Sequence, residues 1–223
     1  MSSNTTVDIN RTVADVVVFG AGGQVGRAVV AEARERGLTV TAAVRDEARH
    51  ADLVAEGVAL VRCDVTDADA VAAVAAGHRL AVSSVYTPDV PSQEFYRAAT
   101  TALADGLGRA ATGRLVSIGV ATTLETAPGV RVLDAPEFPD AHRTFSLGHA
   151  VALDVLRAVG PALDWVVVTP PLDLDRTAPR TGRYRSGGPQ VLGTRIAQAD
   201  LAVAVVDELT EPRHHREQIA VAE

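Results

Sequence analysis

The sequence predicts an α/β protein, a single domain built on a doubly wound parallel sheet, and three observations carry that reading. Apolar runs of strand length alternate with longer alanine-rich segments whose apolar residues recur at helical spacing, the pattern of parallel strands covered by helices on both faces. A run of closely spaced glycines, Gly20, Gly22, Gly23 and Gly26, joins the first strand-like run to the first helical one. The chain has 223 residues, a length that buries one sizeable core.

The elements follow in order. Strands are expected near 13–19, 38–44, 58–62, 79–84, 114–118 and 164–168, with a short last one near 217–221. Each is centred on a short apolar run of strand length. Helices are expected near 24–36, 47–55, 67–76, 92–111, 146–159 and 197–209. Asp67 reads as the N-cap of the third of these, where its carboxylate can accept from free backbone N–H groups. Two connections are long and rich in proline, glycine and charge, 119–144 and 170–195. Ligands in doubly wound sheets sit outside the carboxyl ends of the strands, so these are the expected substrate loops. The domain should run from 13 to 223, behind a polar, disordered tail over 1–12.

Composition narrows the function. The formal charge of −7 argues against nucleic acid, whose binding depends on neutralising phosphates with cations. A small molecule is the expected partner, and the protein itself is expected as a monomer or homodimer. No apolar run approaches the ~20 residues of a membrane span, and the opening residues lack the apolar stretch of a signal peptide. No membrane partner and a cytoplasmic location are therefore expected. Cys63 is the single cysteine; no intrachain disulfide can form, and it reads as a buried strand residue.

The glycine turn falls between strand and helix, where a pyrophosphate meets helix N–H groups. The spacing G-x-G-x-x-G fails because Val25 stands at its third glycine, but G-x-x-G-x-x-G is met by Gly20, Gly23 and Gly26. Gly20, Gly22, Gly23, Gln24, Val25 and Gly26 are thus the expected phosphate-binding set. The next strand ends in Arg45, 19 residues after Gly26. An acid there would bind the ribose 2′-hydroxyl of NAD, whereas an arginine suits a 2′-phosphate. NADP(H) is the expected cofactor and NAD(H) the alternative; Asp46 either reaches a ribose or caps a turn. Asp64 and Val65, after the third strand, fall where the adenine edge would rest. Ser83, Ser84 and Val85, after the fourth, fall beside the ribose and nicotinamide.

From Val13 onward the chain resembles the atypical short-chain dehydrogenases with an NAD(P)H-binding (NmrA-like) domain, near the NADH-flavin reductase and flavin/biliverdin reductase branches. The resemblance rests on the glycine turn with Arg45, on "RLVSIGVATTLETAPGVRVLDAPEFP", on "GHAVALDVLRAVGPALDWVVVTPP", and on "RTGRYR" followed by "RIAQADLAVAVVDELTEPRHHREQIAV". It implies a Rossmann fold that binds NADPH and reduces flavins, quinones or other planar conjugated molecules. It also implies that Thr169, Pro170 and Pro171 pack near the nicotinamide and that His149 lies at the substrate pocket. Where the flavin-reductase branch tends to read "GGAGSL", this chain reads "GVATTL". That change reshapes the pocket floor and leaves Thr122 or Thr123 to supply the hydroxyl.

The chemistry must proceed without lysine, because all 21 Lys and Arg residues are arginines. Typical short-chain dehydrogenases pair a tyrosine with a lysine that lowers its pKa, and that pair is impossible here. A Schiff base and a P-loop lysine are equally excluded. Hydride transfer is cofactor chemistry, and a flavin or quinone can take its proton from solvent. The candidate catalytic residues are His149, Thr123 and Tyr86. His149 reads as opening a helix that faces the cleft, either handling a proton or making a structural hydrogen bond. His142 reads as a loop residue. Tyr86 and Tyr184 read as loop aromatics that could stack on a ligand, and Tyr96 as helix packing. Arg183 and Arg185 could meet an acidic substrate, although solvated loop charge is the simpler reading. Trp165 reads as core. His214 and His215 lack a third ligand nearby, so no metal site is expected.

The residues together point to an NADPH-dependent reductase of a planar conjugated small molecule. The alternatives are a non-catalytic NADP(H)-binding redox sensor and a non-redox cyclase, isomerase or dehydratase on the same fold.

Overall fold

The computed structural model describes residues 16–223. The expectations for the tail over 1–12 and for the first three residues of the strand at 13–19 lie outside the described residues. The remaining elements form a doubly wound sheet. In chain order they are β1 (Val16–Phe19), α1 (Gln24–Glu35), β2 (Val40–Val44), β3 (Val58–Arg62), α2 (Ala68–Ala75) and β4 (Leu80–Ser83). Next come α3 (Ser92–Arg109), β5 (Arg114–Ile118), the hairpin β6 (Glu125–Ala127) and β7 (Val130–Arg131), α4 (Asp140–Ala158) and β8 (Asp164–Thr169). The chain closes with β9 (Asp173–Asp175), β10 (Arg185–Gly187), β11 (Arg195–Ala197), α5 (Gln198–Thr210) and β12 (Glu217–Ala222).

The eight-stranded sheet has the order β10-β12-β8-β5-β4-β1-β2-β3. All pairs are parallel except β10 on β12. Strand order reverses at β1, which lies between β2 and β4; a crevice opens at such a point beyond the carboxyl ends of the strands.

Alternation along β1 shows how the sequence makes two layers. Val16 and Val18 pack into the core beneath α1 and α5, with Val29, Val30, Leu201 and Val205. Val17 and Phe19 point the other way, into the core beneath α2, α3 and α4, with Leu103, Leu107, Leu153 and Trp165. A strand has a side-chain period of two, so one run of four apolar residues serves both cores. Trp165 is core, as expected, and so is Cys63. Helices α3 and α4 approach closely at Gly148, where an added Cβ would fall 2.1 Å from Ser92 Oγ.

Four local expectations are corrected. Helix α4 begins at Asp140 rather than near 146, because Pro139 precedes it and Arg143 holds Asp140 across the first turn at 3.2 Å. His142 is therefore helical, and His149 lies well inside the helix instead of opening it. The expected helix over 47–55 is a short 3-10 segment, Ala48–Leu53, kinked at His50 (φ −133°, ψ 22°). Asp67 does cap α2, accepting from the Asp69 and Ala70 amides.

The two long connections are more ordered than their composition suggests. They zip together where Glu125 N donates to Pro189 O at 2.8 Å and Val191 N donates to Glu125 O at 3.0 Å. Residues 180–184 are clamped onto α1 and α5. Arg180 pairs with the buried Glu32, Thr181 and Gly182 donate to Asp200, and the Tyr184 hydroxyl donates to Asp207 at 2.7 Å. Tyr184 thus packs on the helical layer and is not a stacking aromatic of the cleft. Asp207 and burial together raise its pKa. Arg185 turns to the Glu223 carbonyl.

Candidate cofactor cleft and substrate pocket

A cleft of about 300 Å³ lies over β2, β1 and β4, lined by Gly20, Gly22, Gly23, Arg45, Val65, Ser84 and Tyr86 among others. The glycine turn enters it under tight constraint. Gly20 has φ +79°, and an added Cβ would sit 2.3 Å from Ser84 O. A Cβ on Gly26 would sit 2.2 Å from Gly20 O, so Gly26 does the close packing that Val25 could not. Val25 instead packs against the α1/α5 core. Gly23 meets only an ordinary contact at 3.4 Å; its missing side chain leaves room on the cleft side. Gly23 also caps α1 with no side-chain hydrogen bond and no acid in the first turn. The first N–H groups of a helix have no intrahelical partner, so those of Gln24, Val25 and Gly26 are left to an anion.

Cations gather at the outer wall. Arg45, at the end of β2, donates to Thr87 Oγ1 at 3.0 Å and Asp89 Oδ2 at 3.3 Å. Arg49 and His50 line the same cleft and are absent from the sequence expectations. The cluster "RDEARH" carried the signal, three cationic or imidazole groups within six residues of the strand end. Asp46 also lines the cleft, but its Oδ1 accepts from Ala48 N at 3.0 Å, the cap role weighed for it.

Asp64 is corrected. Its Oδ1 accepts from both Thr66 N and Thr66 Oγ1, which turns it into the loop, while Cys63 and Val65 on either side line the cleft. Burial, with Asp64 and Asp67 nearby, pushes the Cys63 thiol up to about 11.

Beside the cleft a second, water-sized cavity of about 20 Å³ gathers Ser83, Ser117, Thr123, His149 and Gln218. Gln218, which the sequence reading missed, explains the arrangement. Its Nε2 donates to Thr123 Oγ1 at 2.8 Å and to Thr169 Oγ1 at 3.0 Å. Thr123 donates in turn to Val120 O at 2.8 Å, so its hydroxyl is engaged within the protein on both its donor and acceptor sides. Thr122 Oγ1, by contrast, is buried without a hydrogen-bond partner among the described residues. Thr169 is fully buried and Pro170 and Pro171 are buried. Thr169 cannot touch a cofactor; it supports Gly119, whose Cβ would fall 2.3 Å from Thr169 Oγ1. Pro171 instead lines an apolar cavity of about 170 Å³ with Leu124 and Leu192, where the two long loops meet.

An aromatic cluster covers this end. The chain has eight aromatic residues, four Phe, three Tyr and one Trp, and half of them, Tyr86, Phe95, Tyr96 and Phe145, form a connected cluster that includes His149. The His149 ring lies 4.2 Å from Tyr96 and 4.8 Å from Phe145, and Tyr86 meets Phe145 edge-on at 5.8 Å. Tyr86 (58% exposed) and Phe145 (37% exposed) present free ring surface. Burial lowers the His149 pKa to about 4. It is therefore an uncharged imidazole at neutral pH, not the proton donor expected near neutrality, and no hydrogen bond engages it among the described residues. Tyr96 donates to Val85 O at 3.2 Å, and burial raises its pKa.

At the opposite end of the sheet His214 and His215 pair with Glu208 and Asp164 at 2.7 and 2.8 Å, around the buried Arg114. No group of side chains able to hold a metal occurs among the described residues. No helix of the described residues is long and apolar enough to cross a membrane.

The NAD(P)H-binding family model matches residues 20–212. Among relatives, the uncharacterised protein YwnB of Bacillus subtilis is 29% identical over 211 residues, 92% of this chain and 96% of that protein. Among solved structures, a proposed exported protein of Burkholderia pseudomallei is 32% identical with a TM-score of 0.84, covering 94% of this chain and 100% of the other. A proposed NADH-flavin reductase of Streptococcus pneumoniae is 28% identical with a TM-score of 0.80, covering 94% and 99%.

Proposed function

The chain belongs to the NAD(P)H-binding family, and from that premise we propose that it is an NADPH-dependent reductase of a planar conjugated small molecule such as a flavin, a quinone or a polycyclic aromatic metabolite. The observation that carries the substrate class is the aromatic cluster: a chain poor in aromatic residues places half of them at one end of the cofactor cleft. Faces of Tyr86 and Phe145 suit a conjugated ring, for which stacking and edge contacts are favourable.

The cleft fits a dinucleotide. Gly20, Gly22 and Gly23 line it without side chains, and the uncapped start of α1 suits a pyrophosphate. Arg45, with Arg49 and His50, favours a 2′-phosphate over a bare ribose. When bound, the nicotinamide supplies the hydride. The chain's own residues then have three tasks: Tyr86, Phe145 and His149 hold the acceptor flat, the aromatic wall excludes water, and the neutral His149 offers a hydrogen bond to a polar atom of the acceptor. The proton comes from solvent, as Thr123 and Tyr96 are committed elsewhere. We further place the protein in the cytoplasm, acting on a small molecule as a monomer or homodimer.

Mixing the protein with NADPH and a panel of flavins and quinones tests the reading. Acceptor-dependent loss of nicotinamide absorbance is expected; none with any acceptor overturns it. One observation favours a second reading, a redox sensor that binds NADP(H) without turnover: the hydroxyls of Thr123 and Tyr96 are engaged by the Val120 and Val85 carbonyls. Tight cofactor binding with no turnover would select it.

A further inference from the structure

We propose that His50 is a specificity residue for the 2′-phosphate of NADP(H), acting as a fixed N–H donor whose tautomer is set by Arg27. This rests on the cofactor reading above and extends it to a residue on the kinked segment after β2.

The argument is one of proton bookkeeping. Arg27 lies in the first turns of α1 and closes a clasp over the glycine turn. Its Nε donates to Gly22 O at 3.1 Å, its Nη1 pairs with Asp52 at 2.5 Å, and its Nη2 lies 3.2 Å from His50 Nδ1. A guanidinium has only donors, so Nδ1 of His50 must be the acceptor, and the neutral ring carries its proton on Nε2. That atom is the one turned to the glycine turn: an added Cβ on Gly22 would fall 2.4 Å from it. His50 also lines the cleft together with Arg45 and Arg49. The result is three donor-bearing side chains and the bare Gly22 backbone around one corner of the cleft.

This corner adjoins the glycine turn at Gly22 and continues along the cleft to Arg45. The pyrophosphate belongs at the start of α1, beside Gly23. His50 and Arg49 stand on the segment that follows β2, beside Arg45, where the strand end meets the adenosine ribose. A 2′-phosphate accepts from N–H donors, and a fixed imidazole N–H needs no change of tautomer to meet it. The kink at His50 (φ −133°, ψ 22°) turns its ring back onto Gly22.

Equilibrium binding of NADP+, NAD+ and adenosine 2′,5′-bisphosphate to wild type, His50→Ala, His50→Gln and Arg49→Ala tests the assignment. His50→Ala should weaken NADP+ and the bisphosphate about tenfold, the scale of one hydrogen bond to a charged group, and leave NAD+ unchanged. His50→Gln, which keeps an N–H donor, should recover most of that loss, and Arg49→Ala should weaken the same two ligands. Equal loss of NAD+ and NADP+ in His50→Ala would mean that the ring only props the glycine turn, and would overturn the proposal while leaving the reductase reading intact. Unchanged NADP+ binding in His50→Ala would overturn it too. Failure of the wild type to bind any of the three ligands would overturn both.

Discussion

Arg45 reaches over the end of β1 to Asp89, with Nη1 3.3 Å from Asp89 Oδ2 and 3.0 Å from Thr87 Oγ1. Both charged ends are more than half exposed, and an exposed pair of this kind contributes less than about 1 kcal/mol. A phosphate can therefore take the arginine from Asp89 at small cost. Asp89→Asn should tighten NADP+ binding by roughly threefold, because one competitor for the guanidinium is gone. Arg45→Ala should weaken NADP+ about tenfold and leave NAD+ alone. Calorimetric titration with the two nucleotides reads both changes, and equal effects on NAD+ would contradict them.

The glycines of the turn should separate into two kinds. Gly26→Ala drives a Cβ into Gly20 O and should lower stability by about 2 kcal/mol or more, the cost of overpacking against backbone. Gly23→Ala meets no such barrier and should melt like the wild type, yet lose cofactor binding, since the added methyl faces the cleft. Thermal melts alongside fluorescence titration with NADPH distinguish the two outcomes.

His149 makes stability depend on acid. Its folded pKa, about 4, lies below its ordinary 6.5, so the unfolded chain binds the extra proton between those values. Stability contributed by the neutral ring is present above about pH 6.5, falls as pH drops toward 4 and levels off below; the slope is at most about 1.4 kcal/mol per pH unit. His149→Leu should flatten that slope in urea unfolding measured across the window. A variant with the wild-type slope would show that the imidazole is not desolvated.

Substrate contacts should separate from cofactor contacts. Tyr86→Ala and Phe145→Ala remove ring surface worth about 0.5 to 1.5 kcal/mol each, and should raise KM for a planar acceptor by roughly two- to tenfold. NADPH affinity should stay within a factor of about two. If both variants reduced every acceptor as the wild type does, the aromatic cluster would not be the substrate wall.

The parts of this protein most legible in its sequence are those governed by local periodicity. Apolar runs alternating with alanine-rich segments placed the central strands, and the spacing of Gly20, Gly23 and Gly26 located the turn. The 19-residue step from Gly26 to Arg45 located the cation. What sequence could not show were relations between distant segments. Thr169 looked like a cofactor contact, but Gln218, 49 residues later, draws it into the interior. Thr122 and Thr123 looked interchangeable as the available hydroxyl, but Thr123 is held by Val120 O and Gln218 while Thr122 is buried without a hydrogen-bond partner among the described residues. His149 passed for a neutral-pH acid because the buried Tyr96 that packs on its ring comes from another helix, α3. Tyr184 looked like a free loop aromatic until Asp207 claimed its hydroxyl.

The three-residue strand β10 has a consequence for self-association. An unpaired sheet edge is a template for another chain, and nature blunts such edges with short strands and charge. Here β12, which would otherwise be the border, is capped by an antiparallel strand of three residues, and Arg185 at its start is tied to the Glu223 backbone. The border strand is too short to nucleate a continuous intermolecular sheet, and the clamp of 180–184 onto α1 and α5 holds it in place. Strand pairing with another chain is thus blocked at this border of the sheet, opposite to the β3 border, by the same segment that first looked like a substrate loop.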